Sequence, residues 1–356
     1  MIDRITAIKE LARTRRCSHI FVSDPVDVEY ISGFKSTNAY LLISPRRHLL
    51  FTDFRYRTAA QRFCRGRTWR FVESGENGFT AIARCIAPGS RVGVQSDSMT
   101  VDQFDCMRKL CRKASFIKLG PAIAHISAVK LPHEIAAMRR AARIGDRALA
   151  VFLRRLRPGM SERDASRLLE ELCRKFGSEE PAFPTIVLFG RRTALVHGQP
   201  SDRALKRGDL ILCDFGCTVN GFRSDMTRTM VMGGATQRQR KMYEIVFQAQ
   251  RQARLSVCSG KRAAGIDACA REFITQAGLG GAFGHATGHG VGRRIHEKPR
   301  IARRDKTILR EHMVVTIEPG VYLPSWGGIR IEDMVVVGKN GARCLTNFPR
   351  RLVEIR

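Results

Sequence analysis

The chain has 356 residues, 44% of them hydrophobic, which is enough for two packed domains and excludes a wholly disordered protein. No run of about 18 apolar residues occurs, and the N-terminus, MIDRITAIKELARTRRC, lacks the apolar centre of a secretory leader, so no membrane contact and a cytoplasmic location are expected. The net charge of +29 is spread over doublets such as Arg15-Arg16, Arg139-Arg140 and Arg303-Arg304, which suits non-specific contact with polyanions and not a base-reading patch.

From residue 1 to 123, apolar strands alternate with amphipathic helices. Strands are expected at 19–22, 39–43, 48–52, 69–72, 91–94 and 116–119, and helices at 2–14, 55–64, 79–87 and 101–113. That alternation predicts an α/β domain, and its few histidines and isolated acids offer no site. Gly120-Pro121 interrupts the pattern, and a second domain is expected over 124–356.

The second domain opens with a helix beyond Pro132. Its Ile135, Met138, Ala142, Gly145, Leu149 and Phe152 recur at spacings of three and four, and it stops near Pro158-Gly159. Ser161, with Asp164 three residues on, starts another helix as a capping box would, with Asp in place of Glu or Gln. Further helices are expected at 237–256 and 266–277, and strands at 313–317 and 329–337. Eleven scattered cysteines include no C-x-x-C pair, which fits a reducing compartment and gives none of them a catalytic role.

Between these helices lies DLILCDFGCTVNGFRSDMTRTMVM, residues 209–232, which reads as two strands joined at Asn220-Gly221, a dipeptide that tolerates the positive φ of a tight hairpin. Folding there brings Asp214 and Asp225 into diagonal contact within apolar strands. Two adjacent acids repel each other and require a cation. Asp214-Phe215-Gly216 also spells the magnesium tripeptide of protein kinases, but neither a glycine-rich nucleotide loop nor an H-R-D string occurs.

Farther on, GHATGHGVGRRIHEKP sets His285, His289 and His296 among glycines that admit close backbone approach, without the H-E-x-x-H order of a helix-borne zinc site. Glu318 ends one apolar strand and Glu332 is expected inside another, where a buried unpaired acid would cost several kcal/mol. Asp214, Asp225, Glu318 and Glu332 with His289 form an oxygen-rich set whose four negative charges two divalent ions would balance.

The order Asp214, Asp225, His289, Glu318, Glu332, within the strings DFG, SDMTRT, TGHGVG, IEPG and IRIED, resembles the pita-bread metallopeptidases, in particular the Xaa-Pro branch with aminopeptidase P and prolidase. DVEYISGF and LLFTDFRY resemble strings of that branch's N-terminal domain. The resemblance implies an α/β creatinase-like N-terminal domain followed by an α+β pita-bread catalytic domain, a homodimer, and two divalent ions, manganese first and cobalt or zinc as alternatives. It implies that Asp214 chelates one ion, that Asp225 and Glu332 bridge both, and that His289 and Glu318 complete the other.

By the same resemblance, His197 in LVHGQP, His285 and His296 line the substrate site and Glu318 passes a proton to the leaving amine. Arg330 matches the arginine two residues before the last ligand. One departure is Arg293-Arg294, where the branch often has Leu-Glu, which bears on how a free amino terminus is held. The expected activity is that of an Xaa-Pro aminopeptidase on peptides with proline second, with Xaa-Pro dipeptidase as the alternative. A non-catalytic pita-bread protein that binds nucleic acid or protein is the rival from another class, disfavoured by five intact ligand positions.

Overall fold

Asp3 starts the first helix: its carboxylate accepts the amide hydrogens of Ile5 and Thr6, and helix α1, Arg4–Thr14, buries Ile8 and Ala12. The computed structural model describes residues 3–75 and 78–356, so Ile2, the expected start of that helix, lies outside it. The chain divides into two compact units, Met1–Ser127 and Ala128–Arg356.

In the first unit, β1 (His19–Val22), α2 (Pro25–Ser32), β2 (Ala39–Ile43), β3 (His48–Thr52), α3 (Arg57–Cys64), β4 (Trp69–Glu73), α4 (Gly78–Ala83), β5 (Arg91–Val94), α5 (Val101–Leu110), β6 (Ser115–Lys118) and α6 (Ala122–Ser127) follow α1. The strands form one sheet in the order β4-β3-β2-β1-β5-β6. β1 reads as an unbroken apolar run because both faces of this central strand are covered, and Ile20, Phe21 and Val22 are fully buried. Helix α2 was not expected: its eight residues include two valines and too few turns for a clear stripe. Asp24 at its N-cap and Pro25 in its first turn are the signals that start it. Helix α4 ends at Ala83, short of the expected 87, and Pro88 disfavours helical backbone only at Ala87.

The second unit runs α7 (Pro132–Arg155), α8 (Glu162–Lys175), β7 (Ile186–Phe189), β8 (Leu210–Phe215), β9 (Thr218–Val219), β10 (Phe222–Arg223), β11 (Met226–Met232), α9 (Gln237–Ser256), α10 (Ala263–Gln276), β12 (Gly288–Gly290), β13 (Glu297–Ile301), β14 (Val314–Ile317), β15 (Gly320–Leu323), β16 (Gly327–Arg330), β17 (Asp333–Val337), β18 (Ala342–Cys344) and β19 (Glu354–Ile355). Its two larger sheets have the orders β19-β11-β8-β7 and β13-β12-β14-β17-β18.

Each of these sheets is covered by a helix pair. Phe152 of α7 and Leu169 and Leu172 of α8 pack on Ile211, Cys213 and Phe215 of β8 and Met230 of β11. Val246 and Ala249 of α9 and Ile266 and Ile274 of α10 pack on Val315, Ile317, Val335 and Val337. Burying each large apolar side chain contributes roughly 1.5–3 kcal/mol. Because strand side chains alternate faces, the residues between these apolar positions point away from the helices. Those residues include Asp214, Thr227 and Thr316.

The hairpin has the expected turn, with positive φ at Asn220 and Gly221, but it is broken into two ladders. β8 pairs with β11, placing Thr227 opposite Asp214, while β9 and β10 form a separate ribbon at the tip. The ladders part at Gly216, where a Cβ atom would lie 1.9 Å from the Ser224 carbonyl oxygen. Asp225 therefore precedes β11 instead of sitting within it.

The expected strand over 329–337 is likewise two strands. Ile317 pairs with Asp333 in the five-stranded sheet and Gly320 with Arg330 in the β15–β16 hairpin, so the chain changes sheets at Glu318-Pro319 and again at Ile331-Glu332. Proline at 319 has no N–H to continue the ladder. Glu332 thus lies at a junction between strands, not inside one. No helix among the described residues is long and apolar enough to cross a membrane.

Candidate metal centre

The two strand junctions and the broken hairpin converge on one cluster of acids. Ligand atoms of Asp225, His289 and Glu332 all lie within 4.8 Å of one another. His289 Nε2 is 3.6 Å from Asp225 Oδ2 and 3.3 Å from Glu318 Oε1. Asp214 joins the cluster through Arg330, whose Nη2 donates to its Oδ2 at 2.6 Å. All five residues expected as ligands are thereby brought to one place.

Hydrogen bonds from the surrounding strands aim these groups. The His289 Nδ1–H donates to the Gly290 carbonyl at 3.0 Å, which turns Nε2 toward the acids, where a cation would take the place of the proton it shares with Glu318. The His289 amide donates to Thr316 Oγ1 at 3.0 Å, and that hydroxyl donates to Glu318 Oε1 at 3.2 Å. Thr227 Oγ1 donates to Glu332 Oε2 at 2.7 Å and accepts Arg330 Nε–H at 3.0 Å. Arg330 Nη1 donates to the Tyr322 hydroxyl at 2.8 Å, and that hydroxyl donates to His285 Nε2 at 2.9 Å. Thr227, Thr316 and Tyr322 were missed from sequence. Only Thr227 had a legible signal, because the Asn220-Gly221 turn puts it opposite Asp214.

The electrostatics ask for more positive charge. Burial, with repulsion from Glu332, Asp214 and Glu318, raises the Asp225 carboxyl well above its usual range. Burial, with the charges of Glu318 and Asp214, does the same to Glu332. Asp214 is raised by burial in spite of Arg330. Burial also works to raise Glu318, but the His289 hydrogen bond and charge outweigh it and hold that carboxyl at about 2.

Among the described residues, two buried carboxylate oxygens of this cluster, Asp214 Oδ1 and Glu332 Oε1, accept no hydrogen bond. Such an oxygen is costly unless something electropositive meets it. Orphaned oxygens, mutually repelling acids and an imidazole with Nε2 turned inward fit divalent cations bound by oxygen and nitrogen.

The other expected site residues surround this cluster. His285 is held by its Nδ1–H to the Ala286 carbonyl at 2.7 Å and by Arg271 of α10, which donates to the His285 carbonyl at 2.8 Å. The His296 ring lies edge-on to His289 with centroids 4.4 Å apart. His197 is exposed, and its charge bears on both Asp214 and His296. Arg293 turns from the acids to the hairpin tip, with its guanidinium 4.3 Å from the Phe222 ring centroid.

Comparison with known proteins gives the cluster its context. Residues 136–339 match metallopeptidase family M24, and residues 4–129 match the creatinase/prolidase N-terminal domain. The chain is 33% identical to an Xaa-Pro dipeptidase of Pyrococcus furiosus over 99% of its own length and 100% of that protein. Among solved structures it resembles an Xaa-Pro dipeptidase from Bacillus anthracis, with TM-score 0.92, 32% identity and 98% of each chain covered. It also resembles an X-Pro aminopeptidase from Thermotoga maritima, with TM-score 0.88, 31% identity, and 99% of this chain and 100% of that one covered.

Proposed function

The chain belongs to metallopeptidase family M24, with a creatinase/prolidase N-terminal domain, and on that premise we propose that it hydrolyses the bond between an amino acid and a following proline, with Xaa-Pro dipeptides as preferred substrates. The observation that carries the reading is the acid and imidazole cluster of Asp214, Asp225, His289, Glu318 and Glu332, built around two orphaned carboxylate oxygens. These five residues would hold two divalent cations, manganese foremost because the set is rich in oxygen, with cobalt and zinc as alternatives. When bound, such ions polarise a scissile carbonyl and make water acidic enough to attack near neutral pH.

The chain's own residues supply the rest. Glu318, with Thr316 donating to one of its oxygens, is aimed to take up a proton and pass it to the proline nitrogen as the bond breaks. His285 and Tyr322 form a hydrogen-bonded pair backed by Arg330, a rigid polar array beside the acids that would help position the peptide. His197 and His296 stand at the edge of the cluster, where they would orient the peptide.

The dipeptide preference has its own support. Arg300 pairs with His289 across β12 and β13, and directly opposed strand residues point to the same face. Its charge bears on His296. A guanidinium there suits the carboxylate that follows proline in a dipeptide. The Bacillus anthracis and Pyrococcus furiosus relatives are also named Xaa-Pro dipeptidases. The second reading, an Xaa-Pro aminopeptidase, is favoured by the exposure of Arg300, which leaves room for a longer chain, and by the Thermotoga maritima relative. Comparing kcat/KM for a dipeptide and a longer peptide with the same first two residues separates them. A dipeptide preference above about 100-fold, or about 2.7 kcal/mol, supports the dipeptidase, and equal or better use of the longer peptide supports the aminopeptidase.

A further inference from the structure

His296 stands on the connection between β12 and β13, and that connection is clamped at both ends. At its start, the Arg223 amide donates to the Gly292 carbonyl at 2.8 Å and Arg223 Nε donates to the Arg293 carbonyl at 2.9 Å. At its end, the Arg294 amide donates to Glu297 Oε1 at 3.0 Å, while Glu297 Oε2 accepts from Lys130 Nζ at 2.7 Å. The Lys130 side chain is 0% exposed and that of Glu297 is 7% exposed. The Lys130 backbone is itself fixed, its amide donating to the His312 carbonyl at 3.0 Å.

A buried ammonium and carboxylate lose about as much in desolvation as they regain from each other, so stability alone is a weak reason for the pair. Its geometric effect is specific: it immobilises the residue next to His296. We propose that Lys130 and Glu297 are positioning residues that hold the His296 imidazole against His289. The consequence for catalysis rests on the function proposed above, whereas the consequence for the position of His296 does not.

The test uses the double variant Lys130→Met/Glu297→Gln, which removes both charges together and leaves an oxygen to accept the Arg294 amide. Two readouts are taken on protein whose melting temperature and metal content match the parent. The first is the imidazole 1H–15N signal of His296 in the metal-free protein, identified by its loss in His296→Ala. The second is kcat/KM on an Xaa-Pro dipeptide, measured for the double variant, for His296→Ala and for their combination.

The expected result is a displaced His296 signal and a fall of about tenfold in kcat/KM that disappears in the His296→Ala background. An unmoved signal, or a loss that persists undiminished without His296, overturns the proposal. If no Xaa-Pro peptide is hydrolysed by the parent, the functional reading fails and the signal alone decides. If the double variant does not fold, Glu297→Asp, which keeps the charge and shortens the tether, is judged by the same two outcomes.

Discussion

The Thr227 hydroxyl donates to Glu332 Oε2 at 2.7 Å, joining the hairpin strand to a junction 105 residues farther along the chain. The hydroxyl oxygen, Thr227 Oγ1, in turn accepts a hydrogen from Arg330 Nε, so one hydroxyl sets the aim of a candidate ligand and of the guanidinium that grips Asp214. Thr227→Val keeps the shape and removes both bonds. It is expected to weaken metal binding about 10- to 100-fold and to lower the melting temperature of the metal-free protein, because a buried carboxylate oxygen and the Arg330 Nε–H lose their partner. Calorimetric titration of the apo-protein with manganese measures this, and unchanged affinity would refute the role given to Thr227.

Asp225 offers a ligand atom within 4.8 Å of those of His289 and Glu332, between the two sheets. Asp225→Asn replaces a carboxylate that can bridge two cations with an amide that bridges poorly. Elemental analysis should find at least one ion fewer per chain than in the parent protein, with activity on Xaa-Pro peptides lost. Full occupancy in the variant would remove Asp225 from the ligand set.

Behind the centre, Arg228 is fully buried on the opposite face of β11, where Nη2 donates to Asp333 Oδ1 and to the Phe348 carbonyl, each at 2.8 Å. Nε donates to the Pro349 carbonyl at 3.1 Å, and Nη1 also reaches the Glu332 carbonyl. Arg228→Met leaves part of the Asp333 charge and several carbonyls unpaired. A loss of roughly 3–5 kcal/mol in the unfolding of the second unit is expected, read from urea titration. A change below about 1 kcal/mol would show that the network carries little strength.

Gly288 begins β12 where two backbones nearly touch. A Cβ atom there would lie 1.9 Å from the Thr316 carbonyl oxygen, a contact that no rotamer change relieves. Gly288→Ala should push β12 away from β14 and carry His289 with it. The expected signature is a lower melting temperature together with loss of metal-dependent activity, and a variant with parental stability would contradict the close approach.

Much of this arrangement was legible because strand periodicity and turn chemistry act locally. The strands β1, β2, β3 and β5 lie where their apolar runs predicted, and Asn220-Gly221 set a register that holds on both sides of the break at Gly216. Helix α9 also coincides with its expected span, since Thr236 and Gln239 cap it reciprocally. What could not be read depends on distant partners. The strand Gly288–Gly290 contains two glycines, whose weak strand preference is overridden by pairing with β13 and β14. Tyr322 lies on an ordinary apolar strand, and only the fold brings its hydroxyl between Arg330 and His285. Pro319 was visible, but the insertion of the β15–β16 hairpin between Glu318 and Glu332, which splits the expected strand 329–337, requires knowing which strands pair.

The central claim is that these five residues hold divalent cations for cleavage before proline. It is tested most directly by stripping the protein of metal, verifying removal by elemental analysis, and following hydrolysis of an Xaa-Pro dipeptide as manganese is returned in measured amounts. Hydrolysis should be absent in the metal-free protein and should rise to a plateau as bound manganese approaches about two ions per chain. Full activity in protein verified to be metal-free would contradict the account.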